Sequence, residues 1–288
     1  MNRRATAAAA LAVAPAALVV LALLAGGVVT ALAQAVFPHD GPPSLRAFAD
    51  ALRAPGFVPS LVLTIAVSAV STALTVLLGV LTALSLRRTR RFRRLVTSVY
   101  QMPLTVPHLV VAAAGLMVLS QSGILSRLLA AAGAIDSPAG FPELVYDRGG
   151  IGIILAYVWK QVPFVGLFAL AVLQSVGEDY EAAARTLGAT PGQAVRHVLV
   201  PLVMPALVPA SVIIFAFVFG AFEVPLLMGA RHPSMLSVLA YRLYTDVDLT
   251  LRTRSMALSF LIALFILGLL AAARTVLSVA GRSAGVDR

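Results

Sequence analysis

Cysteine is absent from this 288-residue sequence, lysine and tryptophan each occur once, and charged residues make up only 12%. With no cysteine, neither a disulfide framework nor a thiolate metal site can form. The one lysine, Lys160, lies inside an apolar run. No GxxxxGK[ST] phosphate loop is present, so the chain does not bind ATP by that route and any energy must come from elsewhere. The four histidines, His39, His108, His197 and His232, are scattered without metal-ligand spacing. No Ser/His/Asp arrangement is legible, and GGIG at 149–152 lacks the third glycine of a dinucleotide fingerprint. Catalysis therefore has no support, and neither a cofactor nor a metal is expected in this chain.

What the sequence has in abundance is apolar length. Hydrophobic residues reach 60% and mean hydropathy is +0.95, well above the roughly 45–50% apolar content of soluble domains. The chain reads as a polytopic, all-α membrane protein. Its net charge of +10 is carried almost wholly by arginine. Arginines distributed over loops between apolar runs fit membrane topology better than nucleic-acid binding, which is not expected.

Six spans are predicted. The first, from about 10 to 36, follows Arg3 and Arg4 and is too long for a signal-peptide core, although Ala31-Leu32-Ala33 imitates a cleavage site. A Pro/Gly-rich external segment at 37–57, with His39, Asp40, Arg46, Asp50 and Arg53, leads to the second span at 58–86. That span carries Ser60, Thr64, Ser68, Ser71, Thr72 and Thr75, residues that let helices approach and hydrogen-bond, so it is expected to face protein. RRTRRFRR at 87–94 marks a cytoplasmic loop. Beyond setting topology, it is suited to anionic headgroups or an acidic partner face. The third span is placed at 101–120 behind Pro103 and Pro107, and the external loop at 121–149 includes an apolar piece, 125–134, too short to cross. The fourth span occupies 150–175 and the fifth 202–229, the latter expected to bend at Pro205, Pro209, Gly220 and Pro225. After an external loop at 230–254 comes the sixth, 255–279. Both termini are then cytoplasmic, with thirteen arginines in the cytoplasmic segments against eight outside, a bias resting mainly on residues 87–94. No internal repeat and no low-complexity linker divides the chain, so 1–288 reads as one membrane domain with its core at 58–280.

Between the fourth and fifth spans lies a polar, helix-prone stretch at 178–200. Glu178, Asp179 and Glu181 precede Ala182-Ala183-Ala184 and are assigned to the first turn of a short helix, where the macrodipole favours acids. Gly188 ends that helix. Thr190 and Pro191 then supply an N-cap and a first-turn proline for a second short helix running towards Pro201. This stretch resembles the cytoplasmic signature of the membrane subunits of binding-protein-dependent ABC importers: Glu-Ala-Ala, three residues, Gly, nine residues, Ile, one residue, Leu-Pro. Ala183, Ala184, Gly188, Val198, Val200 and Pro201 match it in spacing; the glutamate position falls on Ala182, with Glu181 one residue before it. The resemblance implies a MetI-like permease fold with six spans in a bacterial-type inner membrane. It also implies docking of two ATPase subunits, which bind the ATP, on Glu181, Ala183, Ala184, Gly188, Thr190, Pro191, Val198 and Pro201. A second permease chain, identical or not, and an external solute-binding protein on the loops at 37–57, 121–149 and 230–254 complete the implied assembly.

Ionisable residues inside a span are costly and face protein or water rather than lipid. Lys160, with Trp159 beside it, and Glu223 are therefore candidate pathway residues, at depths that also allow a mutual salt bridge. FGAFEVPLLMG at 219–229 and LSVLAYRLYTD at 236–246 resemble the subgroup of these permeases serving polyamines, ferric iron, thiamine and phosphonates. An acid in the fifth span favours a polyamine-type solute, while Lys160 argues for an anion. The competing class is an ion-coupled secondary transporter or channel without an ATPase partner.

Overall fold

A computed structural model describes residues 3–37, 42–89 and 93–283. His39, Asp40, Arg90, Arg91 and Arg288 lie outside this set, as do the side chains of Arg3, Arg4, Arg93, Glu178 and Arg282. All regular structure among the described residues is helical. In chain order the helices are α1 (Arg3–Val36), α2 (Arg46–Arg53), α3 (Phe57–Leu86), α4 (Arg93–Thr105), α5 (His108–Leu119) and α6 (Ile124–Ala131). They continue with α7 (Ile151–Thr186), α8 (Pro191–Ala194), α9 (Val200–Gly220), α10 (Glu223–Met228), α11 (Leu236–Tyr244) and α12 (Leu251–Ser283). Among the described residues six stretches are long and apolar enough to cross a membrane: Leu11–Val36, Phe57–Leu86, His108–Ala131, Ile151–Ser175, Pro191–Gly220 and Leu251–Thr275.

Two compact units emerge from the packing. One comprises Met1–Phe57 and Leu239–Phe265. Within it α1 is largely apolar along its described side chains at 11–36, most of them exposed, with Ala35 buried near its end. Short, amphipathic α2 buries Ala47 and Ala51, sets Phe48 edge-on to Phe260 with ring centroids 5.9 Å apart, and brings Asp50 to 3.9 Å from Arg254.

The other unit comprises Val58–Val238 and Ile266–Arg288, and here the polar stripe of α3 decides the packing. Ser60, Thr64, Ser68, Ser71 and Thr75 recur on one face and are buried, followed on that face by Gly79 and Ala83. The buried hydroxyls of Thr64 and Ser68, and that of half-buried Thr72, donate to the carbonyl one turn back at 2.7 Å, whereas those of Ser60, Ser71 and Thr75 are buried without a hydrogen-bond partner among the described residues. Thr64 Oγ1 also accepts the Leu236 amide at 2.9 Å, tying α3 to the start of α11. At Gly79 a Cβ would stand 2.7 Å from Val165 Cγ1, so glycine is what lets α3 and α7 approach so closely. Tyr100 of α4 closes the third side, its hydroxyl meeting Thr82 Oγ1 at 2.7 Å and donating to Val162 O at 3.0 Å.

Three expected boundaries shift. The third span does not begin at 101: α4 ends at Thr105, Pro107 caps α5, and the apolar stretch starts at His108. A proline cannot donate to the preceding turn, so the chain breaks there. The fourth span and the first short helix expected after it are one 36-residue helix, α7. The fifth span starts earlier and ends earlier than expected, running from Pro191 to Gly220. It passes through Pro205 and Pro209 without interruption, after a π-helical segment at Val195–Leu199 that widens the turn just ahead of Pro201. The break falls instead at Ala221 and Phe222, before α10.

Candidate functional site

The 178–200 stretch forms a corner between α7 and α8. At the end of α7, the Gly188 amide donates to Arg185 O at 3.0 Å and the Ala189 amide to Ala184 O at 3.1 Å, the paired bonds of a Schellman closure. Gly188 adopts φ +88°, a left-handed conformation that side-chain-bearing residues resist. Two residues on, Thr190 opens α8 with a capping box. Its amide donates to Gln193 Oε1 at 2.8 Å and its hydroxyl accepts the Gln193 amide at 3.4 Å, with Pro191 in the first helical position. Both arms of the corner are thus closed by their own residues, and Leu187 projects from it 90% exposed. Ala183, Pro191 and Pro201 are also exposed, whereas Ala184 and Val198 are half-buried. Leu187 was not among the expected docking residues; an apolar side chain directly before the terminating glycine was the available signal.

Because α7 is continuous, Asp179 and Glu181 do not open a helix. They sit in its last two turns, where the dipole opposes negative charge. Glu181 is stabilised from outside the helix. Arg87 Nη2 lies 2.6 Å from Glu181 Oε2 and Arg88 Nη2 3.4 Å from Oε1. The Arg87 and Glu181 side chains are 7% and 14% exposed, so this pair is shielded, whereas Arg88 remains 61% exposed. The arginine-rich end of α3 is thereby latched to the corner. Arg88, Glu181, Ala182, Arg185 and Pro191 line an open recess of about 420 Å³.

The pathway candidates are not brought together. Among the described residues no ion pair joins Lys160 to Glu223. Lys160 is 6% exposed, and its ammonium donates to Pro103 O at 3.0 Å, Leu104 O at 3.5 Å and Val106 O. These are the open carbonyls at the end of α4, and a cation there also meets the negative end of the helix dipole. The expected Lys160–Glu223 salt bridge is thus replaced by a helix cap. Glu223 stands past the end of the fifth span, exposed at the start of α10, whose Val224 and Pro225 are buried. Trp159 is 51% exposed. A grouping not anticipated is aromatic: His108 lies 4.9 Å from the Phe217 ring and 6.2 Å from Tyr157, with Tyr157 and Phe217 edge-on at 6.2 Å.

Residues 75–279 match the family model described as "Binding-protein-dependent transport system inner membrane component". The chain belongs to this family, and is a polytopic inner-membrane permease component of an ABC importer. It is 30% identical over 214 residues to the molybdenum transport system permease protein ModB of Mycobacterium tuberculosis, covering 73% of this chain and 77% of the relative. It is 27% identical over 228 residues to the trehalose/maltose transport system permease protein MalF of Thermococcus litoralis, covering 76% and 75%. Its fold is that of a chain in the crystal structure of a bacterial alginate ABC transporter bound to an alginate pentasaccharide-loaded periplasmic protein. That match has a TM-score of 0.74 at 20% identity and covers 93% of this chain and 92% of that one. The MetI-like all-α permease fold is therefore the fold of this chain, and the secondary-transporter alternative falls. The polyamine expectation finds no support among these relatives.

Proposed function

We propose that this chain forms one half of the translocation pathway of an ABC importer, pairing with a second permease chain, with two ATPase subunits docking on the corner at 178–200. An external solute-binding protein delivers the solute to the loops at 37–57, 121–149 and 230–254, and both termini face the cytoplasm. The observation that carries this is the corner itself. Two helix ends closed by a Schellman pair and a capping box hold an exposed apolar tip, Leu187, in a fixed orientation. A rigid element of this kind can transmit a push, because its shape does not depend on the partner it meets. The ATPase subunits bind the ATP; this chain supplies the lever and the passage.

For the solute we infer a small oxyanion of the molybdate type in place of a polyamine. The ModB relative supports this through its extent, and the polyamine expectation loses its footing because Glu223 lies beyond the fifth span. Co-purification of the cognate ATPase with wild-type chain and with Gly188→Pro tests the docking. Proline cannot adopt the +88° φ of that residue and removes the amide that bonds to Arg185 O. The wild type should retain the ATPase and the folded variant should lose it; equal retention would place the ATPase elsewhere. Competition of unlabelled molybdate, sulfate and spermidine against labelled molybdate uptake in reconstituted vesicles tests the solute. Inhibition by spermidine alone would restore the polyamine reading.

A further inference from the structure

The docking corner carries an arrangement of charge that constrains what can meet it. Among the described side chains, which do not include Glu178, Glu181 is the one acid lining the recess at the corner, and both of its oxygens are engaged, Oε2 by Arg87 and Oε1 by Arg88. With only 14% of its side chain exposed, it offers an incoming surface little negative charge. Ala182, the next residue, is exposed and carries none. Asp179 is exposed, but two positions along a helix turn its side chain by about 200° away from the Glu181 face.

What the recess does present is guanidinium. Arg87 neutralises Glu181 from the buried side, so the charge of Arg88 is largely in excess, and Arg88 is 61% exposed. Arg185, one turn beyond Glu181 on α7, is exposed on the same lining. On the other arm, Arg196 and His197 are exposed just after α8. The recess is open and about 420 Å³, large enough to admit a side chain from a partner. Planar guanidinium forks select carboxylates through paired hydrogen bonds.

We propose that the docking contact is read by charge as well as shape: the ATPase places an acidic side chain, Asp or Glu, in the recess against Arg88 and Arg185. This rests on the docking reading above and names the chemistry of its partner. The Arg87–Glu181 pair is then a positioning pair, holding the end of α3 so that Arg88 faces the recess.

The test compares ATPase retention by four forms in detergent: wild type, Arg88→Glu/Arg185→Glu, Arg88→Lys/Arg185→Lys, and Gly188→Pro. The charge-reversed double variant should lose retention by about tenfold or more, and the lysine pair, which keeps the charge but not the planar fork, should fall between it and wild type at low salt. Wild-type retention should fall with added NaCl. An acidic-to-basic substitution on the ATPase surface should restore binding to the charge-reversed form. If that form keeps the ATPase while Gly188→Pro loses it, docking stands and the acidic-partner proposal is overturned. If both keep it, the docking reading itself fails. Should the double reversal not give a monodisperse protein, Arg185→Gln replaces it. The slope of retention against NaCl should then flatten, and an unchanged slope overturns the proposal. Repeating the comparison in nanodiscs with and without anionic lipid covers the remaining source. A defect seen only with anionic lipid assigns the arginines to headgroups and overturns it too.

Discussion

Two helices of the same unit end in opposite ways. At the end of α7 the open carbonyls are closed by the next residues in the chain, Gly188 and Ala189. At the end of α4 the Val106 amide bonds to Pro103 O at 3.4 Å, and the carbonyls of Pro103, Leu104 and Val106 are capped together by Lys160, which stands 54–57 residues further along. The first closure is set by local conformation and survives whatever the surroundings do. The second exists only once α4 and α7 have packed, and it places a cation at a buried junction within an apolar stretch. The corner at 178–200 is therefore a locally determined element, whereas the broken entrance to the third span is pinned by tertiary structure. The proposed docking role would benefit from the first arrangement.

The comparison breaks most visibly at Lys160. Lys160→Met keeps the length of the side chain and removes the cation, leaving the carbonyls of Leu104 and Val106 without the ammonium and Pro103 O with the Val106 amide alone. The expected loss is about 3 kcal/mol, read as a lowered unfolding midpoint in detergent. The absence of native cysteine offers a second reading: a Thr105→Cys reporter should label faster with a thiol reagent in the Met background than in wild type. Unchanged stability and unchanged labelling would show that α4 needs no tertiary cap. Lower in the order comes Gly188→Ala, which forces a side-chain-bearing residue to φ +88° and should cost about 1–2 kcal/mol. Its effect on labelling at Thr105 should be nil, since the two closures are independent. Thr190→Ala removes the hydroxyl that accepts the Gln193 amide and should cost about 1 kcal/mol, smaller again because α8 keeps Pro191.

The same distinction explains what could be seen in the sequence. Gly188, Thr190 and Pro191 were legible as corner residues because Schellman and capping-box chemistry lies within a few positions. The buried face of α3 was legible because Ser60, Thr64, Ser68, Ser71 and Thr75 repeat at helical spacing. Lys160 read as a pathway residue because an ionisable group in an apolar run advertises cost without naming its partner, and that partner is a set of distant carbonyls. Glu181 was misplaced for a related reason. Three acids before three alanines suit a helix start, yet nothing in the local pattern stops α7 running through to Thr186, and the compensating arginines come from α3. The prolines of α9 misled similarly. In a membrane, freed carbonyls can be satisfied by neighbouring helices and widened turns, so Pro205 and Pro209 do not break the helix, and the interruption falls at Ala221 and Phe222.

A purely local closure also governs the entry to α12, and here the smallest effect is expected. Asp248 Oδ1 accepts the Thr250 hydroxyl at 2.7 Å and the Thr250 amide at 3.0 Å, an Asx-type turn directly ahead of the helix. These bonds, the hydroxyl first, hold the Asp248 carboxyl below its ordinary value, with Arg254 adding a lesser pull. A carboxyl lowered in the folded state supports that state above its unfolded pKa of about 3.9, and the support is lost as pH falls through the folded value. The window therefore lies below about pH 4, far from working conditions, and a fully exposed group at this turn should leave stability near neutrality unchanged. Thr250→Val removes the hydroxyl and keeps the amide, so the Asp248 titration, followed by carboxyl-carbon NMR, should move upward without reaching the ordinary value. A titration that did not move would mean the amide alone sets the turn. The entry to α12 would then depend on backbone geometry, as the corner at Gly188 does, rather than on a side chain reaching forward.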